Sequence, residues 1–157
     1  MEIILLLKLI HIISVILFLG NITIAILWKM ISHKSKDRQR IAFTFEGIIK
    51  SDRVFTMPSV TLIIISGFGL SGMMRLNTVE TGWILWSIIL VIISGAVYMA
   101  KVVPIQKKIL ALAGDENKFN WDEYYNLAKQ WDLWGSIATV TPYIALFLMV
   151  YKYAILS

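Results

Sequence analysis

The sequence contains no cysteine and little charge. Among its 157 residues there is no cysteine, and only 16% of the residues are charged. The missing cysteines exclude disulfide bonds, cysteine-ligated zinc, iron–sulfur clusters and thiol nucleophiles. Hydrophobic residues make up 58% of the chain, which excludes a disordered protein and exceeds the about 45–50% of soluble domains. A chain of this length cannot hide so much apolar surface from water, so the composition predicts an integral membrane protein.

Motifs of soluble enzymes and nucleic-acid-binding proteins are also missing. The sequence has no phosphate-binding glycine loop, no GxSxG motif and no paired inward carboxylates. Its net charge of +5 comes without the interleaved loop aromatics that accompany nucleic-acid binding, so no nucleic acid is expected as a partner. Whether the protein is an enzyme is left open by the sequence.

Four apolar stretches reach the roughly 20 residues that a helix needs to cross a bilayer. They cover residues 3–28, 54–74, 83–103 and 137–154. The connector between the second and third stretches is short, which makes these helices antiparallel neighbours. We therefore predict one transmembrane domain over residues 1–157, an all-α, up-down-up-down four-helix bundle that lies in the lipid bilayer.

Basic residues indicate the direction of the four spans. Residues 29–53 and 100–136 hold twelve of the 15 lysines and arginines, and only Lys8, Arg75 and Lys152 lie elsewhere. Because basic loops stay in the cytoplasm, both long connectors are predicted to be cytoplasmic and both termini external, in a bacterial inner membrane. Apolar residues at helical spacing in residues 41–49, and an N-cap pattern at Asn120, predict helical extensions within these connectors.

Two groups of side chains are expected near the ends of the spans. The charged residues at the cytoplasmic boundary predict a salt-bridged cluster, and they are Asp52, Arg53, Lys101 and Asp132. Four tryptophans near the predicted interfaces are explained by an aromatic belt at the headgroups, and they are Trp83, Trp86, Trp131 and Trp134.

The first span carries two ionisable residues, Lys8 and His11, which lie three positions apart on one helix face together with Ser14. Lys8 can snorkel to the headgroups, whereas His11 lies about 12 Å from the start of the span. Three roles are open for the imidazole of His11: ligation of a haem iron, proton relay, or a hydrogen bond to a neighbouring helix. His33 falls in the basic connector, so ligation of one haem by both histidines is excluded.

Other polar and small residues predict how the helices face each other. Gly67 and Ser71 form a small-xxx-small pair in the second span, and we expect Gly67, Asn21 and Ser94 to face protein rather than lipid. Pro142 interrupts the fourth span and frees a backbone carbonyl. Thr139 or Thr141 is expected to satisfy that carbonyl.

Three segments carry a resemblance to a known family. They are the run Leu7-Lys8-Leu9-Ile10-His11-Ile12-Ile13-Ser14, the run Asp52-Arg53-Val54-Phe55-Thr56-Met57-Pro58, and residues 131–142. Together they resemble a family of small bacterial four-helix integral membrane proteins of unknown function. That family is in turn distantly similar to the HemJ-type haem-containing protoporphyrinogen oxidases and to copper-resistance membrane proteins.

The resemblance implies a haem site. The oxidases carry a histidine early in their first helix, where His11 stands, and a further histidine late in the third, where this sequence has Tyr98. By this resemblance His11 is the ligand of a haem b iron or contacts a porphyrin, with Ser14 beside it. Lys8 or Lys101 would pair with a propionate, and Tyr98 would tune the site or relay protons.

Two classes of function follow. The first is a redox or porphyrin-handling membrane protein that uses His11. The second is a non-catalytic subunit or scaffold, in which the small-residue helix faces bind partner membrane proteins or a second copy of the chain. A permease is a less favoured third, because four helices leave little room for a pathway unless the chain oligomerises.

Overall fold

A computed structural model describes residues 1–151, and within them the chain is helical without strands. Four helices are long and apolar enough to cross a membrane: α1 Glu2–Ser35, α2 Arg38–Met73, α3 Gly82–Gly114 and α4 Trp121–Val150. The predicted four-helix transmembrane architecture is confirmed. The end of the predicted fourth span, with Lys152, lies outside the described residues.

Each helix is longer than its apolar stretch because the two predicted cytoplasmic connectors are themselves largely helical. A carboxylate oxygen of Asp37 accepts hydrogen bonds from the backbone N–H groups of Gln39 and Arg40 and so caps the start of α2. Asn120 caps α4 in the same way, as its sequence pattern predicted. We call the part of the bundle that contains these extensions the cytoplasmic half, following the charge distribution.

Both middle helices change their winding at the boundary of the cytoplasmic half. Residues Asp52–Thr56 of α2 and Tyr98–Val102 of α3 form single π-helical turns, and Pro58 and Pro104 each follow six residues after the first residue of the turn. A proline removes a backbone donor and crowds the preceding turn, which accounts for a local rewinding. The turns rotate the cytoplasmic extensions relative to the membrane segments.

The helices pack as two pairs that join at one end. In the membrane, α1 packs along α2, and α3 packs along α4. The cytoplasmic extensions of α2 and α3, Arg38–Ser51 and Val103–Gly114, pack against each other. The second and third helices are thus neighbours, as predicted, but they contact each other chiefly in the cytoplasmic half.

A polar side chain completes the packing within the α3–α4 pair. Pro142 cannot donate to the carbonyl of Ala138, and the hydroxyl of Ser94 on α3 donates to that oxygen at 2.6 Å. The prediction that Thr139 or Thr141 would satisfy the freed carbonyl is therefore wrong, because Thr141 donates to Ile137 instead. A serine on the neighbouring helix reaches a carbonyl that the threonines on α4 do not.

One of the predicted belt tryptophans is misassigned. Trp131 is only 4% exposed and packs edge-on against Phe45 with ring centroids 6.0 Å apart, whereas Trp86 is 54% exposed. Trp131 therefore belongs to the interior of the bundle. Helix α4 turns it inward because its neighbours on the same face, Ala128, Gly135 and Ala138, are small and buried.

Candidate functional site

A buried carboxylate lies where the two helix pairs meet. Asp52 is the first residue of the π-helical turn of α2 and is only 5% exposed. Ionisable groups at membrane depth are costly, and their occurrence marks a candidate functional site.

Four neutral side chains donate hydrogen bonds to this carboxylate. Asn21 of α1 and Thr56 of α2 donate to Oδ1, at 3.0 and 2.9 Å. Tyr98 of α3 donates to Oδ2 at 2.8 Å, and the side-chain amide of Gln106 donates to the same oxygen at 3.3 Å. Asn21 also donates to the hydroxyl of Thr56 at 2.9 Å, which leaves that hydroxyl free to donate onward. We call these five residues the Asp52 cluster.

The four hydrogen bonds of the Asp52 cluster favour the ionised form of the carboxyl group. A carboxylate offers about four lone-pair sites, and four donors occupy them here. A proton on either oxygen would lose one of these hydrogen bonds or require a donating hydroxyl to turn and accept instead. None of the ion pairs found among residues 1–151 includes Asp52, so its negative charge is solvated by neutral dipoles rather than by a cationic side chain.

Four members of the Asp52 cluster line one end of an apolar cleft of about 240 Å³ between the helix pairs, and they are Asp52, Thr56, Tyr98 and Gln106. All four helices contribute, and the apolar lining includes Phe18, Ile22, Val60, Val91, Val102 and Ala138. Four further lining residues, Met57 and Thr61 of α2 and Gly95 and Met99 of α3, are exposed. The cleft therefore opens between α2 and α3 on the surface that faces lipid.

Trp131 also lines this cleft. Its indole Nε1 is the one buried side-chain nitrogen or oxygen in the described part of the chain that lacks a hydrogen-bond partner. The face of the ring is approached by the Lys29 ammonium at 5.7 Å from the centroid. The cleft thus combines a solvated anion, an aromatic ring and an unsatisfied donor within an otherwise apolar wall.

The predicted salt-bridged cluster at the cytoplasmic boundary is replaced by a different ion pair. Lys29, buried on α1, binds both carboxylate oxygens of Asp132 on α4 at 2.6 Å. Lys101 is exposed and lies over the ring of Trp134, 5.3 Å from its centroid, and Arg53 is exposed as well. The prediction that Asp52 and Asp132 would pair with Arg53 and Lys101 is wrong, because the bundle turns Lys29 inward and Lys101 outward.

His11 lies in a separate polar contact between α1 and α2. Its Nδ1 is 3.0 Å from the hydroxyl oxygen of Ser66, and that hydroxyl donates to the carbonyl of Leu62. Because its only proton is used there, Ser66 accepts from Nδ1–H, which leaves Nε2 as the unprotonated nitrogen of a neutral ring. Gly67 permits the approach, since a Cβ there would lie 3.3 Å from His11 Cε1.

The five sequence-predicted site residues are distributed over the length of the bundle. His11 meets Ser66 and Gly67, and Ser14 is buried one turn further along α1. Tyr98 belongs to the Asp52 cluster. Lys8 and Lys101 are exposed, the first near the N-terminal start of α1 and the second at the boundary of the cytoplasmic half. Asn21, Gly67 and Ser94 face protein as predicted.

Sequence reasoning missed the centre of the Asp52 cluster. Asp52 was assigned to a rim salt bridge, and Thr56 and Gln106 were given no role. A usable signal was present, because Asp52 and Tyr98 each lie six residues before a proline in neighbouring helices. Such prolines mark local rewinding, which frequently accompanies functional sites.

The helices and the buried polar site define a multi-pass integral membrane protein. The chain belongs to the family described as "Predicted integral membrane protein (DUF2269)", whose model matches residues 5–153. This match confirms the predicted membership of a membrane-protein family of unknown function. Neither a curated protein nor a solved structure matches the chain. The more distant similarity to the HemJ-type oxidases is not shown by these comparisons.

Proposed function

We propose that the protein binds a small lipophilic molecule in the cleft between its helix pairs, with the polar end of that molecule at the Asp52 cluster. The observation that carries this proposal is a buried, fully hydrogen-bonded carboxylate at one end of an apolar cleft that opens toward lipid. Concave apolar sites with a few convergent polar groups are the usual form of small-molecule sites.

The size and position of the cleft limit the ligand. At about 240 Å³ it is smaller than the roughly 300–1,000 Å³ of sites that enclose a whole drug-sized ligand. It therefore accommodates a head group and the first part of a chain, while the remainder extends between α2 and α3 into the bilayer. Entry from the membrane is consistent with the exposed Met57 and Met99 at the opening.

Photolabelling with a decanol that carries a diazirine on its chain tests this proposal. In the purified protein in lipid nanodiscs, we expect labelling that saturates, that unlabelled decanol displaces and that maps to the cleft residues of α2 and α3. Gly95→Leu should abolish this labelling, because the leucine side chain would occupy the cleft that Gly95 lines. A Cβ at this position meets no atom within 4 Å, so the substitution should not disturb the helix packing.

Gly20→Leu is the matched control. Gly20 is also exposed and also has no atom within 4 Å of an added Cβ, but it does not line the cleft. Labelling that does not saturate, or that survives in Gly95→Leu as well as in Gly20→Leu, would refute the proposal.

A second candidate function follows from His11. The contact with Ser66 fixes the tautomer that leaves Nε2 unprotonated, and a ligating histidine is commonly oriented by such a hydrogen bond on its other nitrogen. His11 therefore fits the chemistry of a single axial haem ligand, and Lys8 is the predicted propionate partner nearer to it. Haem b would supply redox chemistry or the binding of a diatomic gas.

Absorption spectra test this second candidate. Wild-type protein purified from haem-replete cells should show a Soret band that His11→Ala loses and Gly95→Leu keeps. A colourless wild type, or a band that persists in His11→Ala, excludes His11 as the ligand. The scaffold alternative stays a prediction. Part of the small-residue face that it would use is already occupied, because Ser66 and Gly67 of α2 contact α1 of the same chain.

A further inference from the structure

The charge of Asp52 selects among the ligands that the cleft could hold. The carboxylate is 5% exposed, and no ion pair in residues 1–151 includes it. Lys29, the one buried lysine or arginine among residues 1–151, is already engaged by both oxygens of Asp132. A buried unit charge in a medium of low dielectric constant exerts a strong attraction on an opposite charge.

The hydrogen bonds of the Asp52 cluster determine which kind of cation can bind beside the carboxylate. All four acceptor positions of the carboxylate are taken by Asn21, Thr56, Tyr98 and Gln106. An incoming ammonium with N–H donors would have to displace one of these four groups. A cation without donors, such as a quaternary ammonium, gains the charge attraction and leaves the four hydrogen bonds intact.

The remaining walls of the cleft suit the same ligand. The aromatic residues Phe18 and Tyr98 are among the lining residues, and aromatic faces attract quaternary ammonium groups. The apolar side chains along the rest of the cleft suit an alkyl chain. An anionic head group, in contrast, would meet the charge of Asp52 in a cleft that no lysine or arginine lines.

We propose that the ligand of the cleft is a lipophilic quaternary-ammonium-type cation, attracted by the charge of Asp52 and held against the aromatic lining. This inference rests on the proposed function, because it names the ligand class of the same cleft. It goes beyond that proposal because it predicts how the affinity of the cleft ranks ligands that share an alkyl chain and differ in their head group.

Competition against the photoreactive decanol tests the ranking with unlabelled probes that share a similar alkyl chain. The probes are decyltrimethylammonium, decylamine in its protonated form, methyl decanoate and decanoate. We expect decyltrimethylammonium to displace the label at the lowest concentration and decanoate at the highest. Asp52→Asn should weaken decyltrimethylammonium at least about tenfold while methyl decanoate changes little, because the substitution removes the negative charge and keeps the size of the side chain.

The matched control for the charge is Glu46→Gln, which removes an exposed carboxylate on the same helix outside the cleft and should leave the ranking unchanged. Unchanged circular dichroism and elution volume of Asp52→Asn identify a folded variant. If that variant does not fold, the wild-type ranking decides the inference. Methyl decanoate as the strongest competitor would overturn the inference and favour recognition by the Trp131 N–H, and decylamine as the strongest would overturn it in favour of a hydrogen-bonding amine. Absence of any saturable labelling would refute the proposed function itself.

Discussion

The cytoplasmic half and the membrane half of the bundle bury opposite kinds of side chain. In the cytoplasmic half the fully buried side chains are large and apolar or aromatic, as in a soluble protein, and they include Ile41, Phe45, Ile109 and Tyr124. In the membrane half the fully buried side chains are small and polar, namely Ser14, Ser66 and Ser87, and Ser59 and Ser94 are nearly as buried.

The exposed surfaces show the converse difference. Ile16, Ile65 and Ile92 of the membrane segments are each more than 60% exposed, and they face lipid chains. Lipid is as apolar as these side chains, so burying them between helices gains nothing. In water the same burial is the main stabilising contribution. One chain thus uses two kinds of interior, and the solvent around each half decides which.

The Asp52 cluster lies at the boundary between these two regions. Its donors come from the membrane segment of α1, from both π-helical turns and from the cytoplasmic extension of α3, in the side chains of Asn21, Thr56, Tyr98 and Gln106. The boundary is where an apolar core gives way to hydrogen-bonded packing, and it is also where the cleft begins.

The largest expected effect tests the assignment of the two halves to cytoplasm and membrane. A cysteine introduced at Asn77, in the short connector, should react fully with a membrane-impermeant thiol reagent on intact cells, whereas Ser35→Cys should not react. The natural chain has no cysteine, so the background is zero. The reverse pattern would invert the orientation, and equal labelling of both positions would contradict the spanning arrangement.

The next effect compares one substitution at a buried site of the cytoplasmic half and at a lipid-facing site of the membrane half. Phe45 is fully buried in the cytoplasmic half, and Phe68 is 54% exposed in the membrane segment of the same helix. Phe45→Ala should lower the free energy of unfolding by about 3–5 kcal/mol, because it leaves a cavity in a core formed by the hydrophobic effect. Phe68→Ala should change it by less than about 0.5 kcal/mol. Unfolding in mixed micelles measures both, and equal losses would remove the distinction between the halves.

Close helix approach in the membrane half gives a smaller effect. A leucine at Gly67 would collide with His11, since the added Cβ alone lies 3.3 Å from Cε1. Gly67→Leu should therefore cost about 1–3 kcal/mol by overpacking. Gly72→Leu on the same helix is the control, because a Cβ there meets no atom within 4 Å. If thermal unfolding in detergent gives the same midpoint for both variants, α1 and α2 do not pack through Gly67.

The sequence was sufficient for the parts of this fold that depend on one helix at a time. Hydropathy located all four spans because each span satisfies its own backbone and needs only an apolar surface. The Asn120 cap was predictable because the side chain and its two N–H partners lie within three residues. The inward direction of Asn21 was predictable because Asn21 lies on the same face of α1 as His11 and Ser14.

The parts that depend on how helices rotate against each other were not predictable. Asp52 meets Asn21 across 31 residues and Gln106 across 54 residues, and the π-helical turn at Asp52 changes the direction in which its side chain points. A regular α-helical wheel does not include that change. The pairing of Asp132 with Lys29 rather than Lys101 has the same cause, because sequence gives the charges but not the rotation of α1 and α3.

The smallest expected effect concerns a single hydrogen bond in the membrane half, and a double-mutant cycle can isolate it. Ser94 donates to the carbonyl of Ala138, which Pro142 leaves without its helical donor. Ser94→Ala should cost about 0.6–1.7 kcal/mol, the range found for interhelical hydrogen bonds in membranes. The control Ser136→Ala should cost less than about 0.5 kcal/mol, because Ser136 is exposed and bonds only within α4.

Replacing Pro142 with alanine restores an N–H four residues after Ala138, so Ser94→Ala should cost less in the Pro142→Ala background than in the wild type. Additive effects of the two substitutions would show that Ser94 does not replace the missing donor, and the membrane half would then be held by close packing alone.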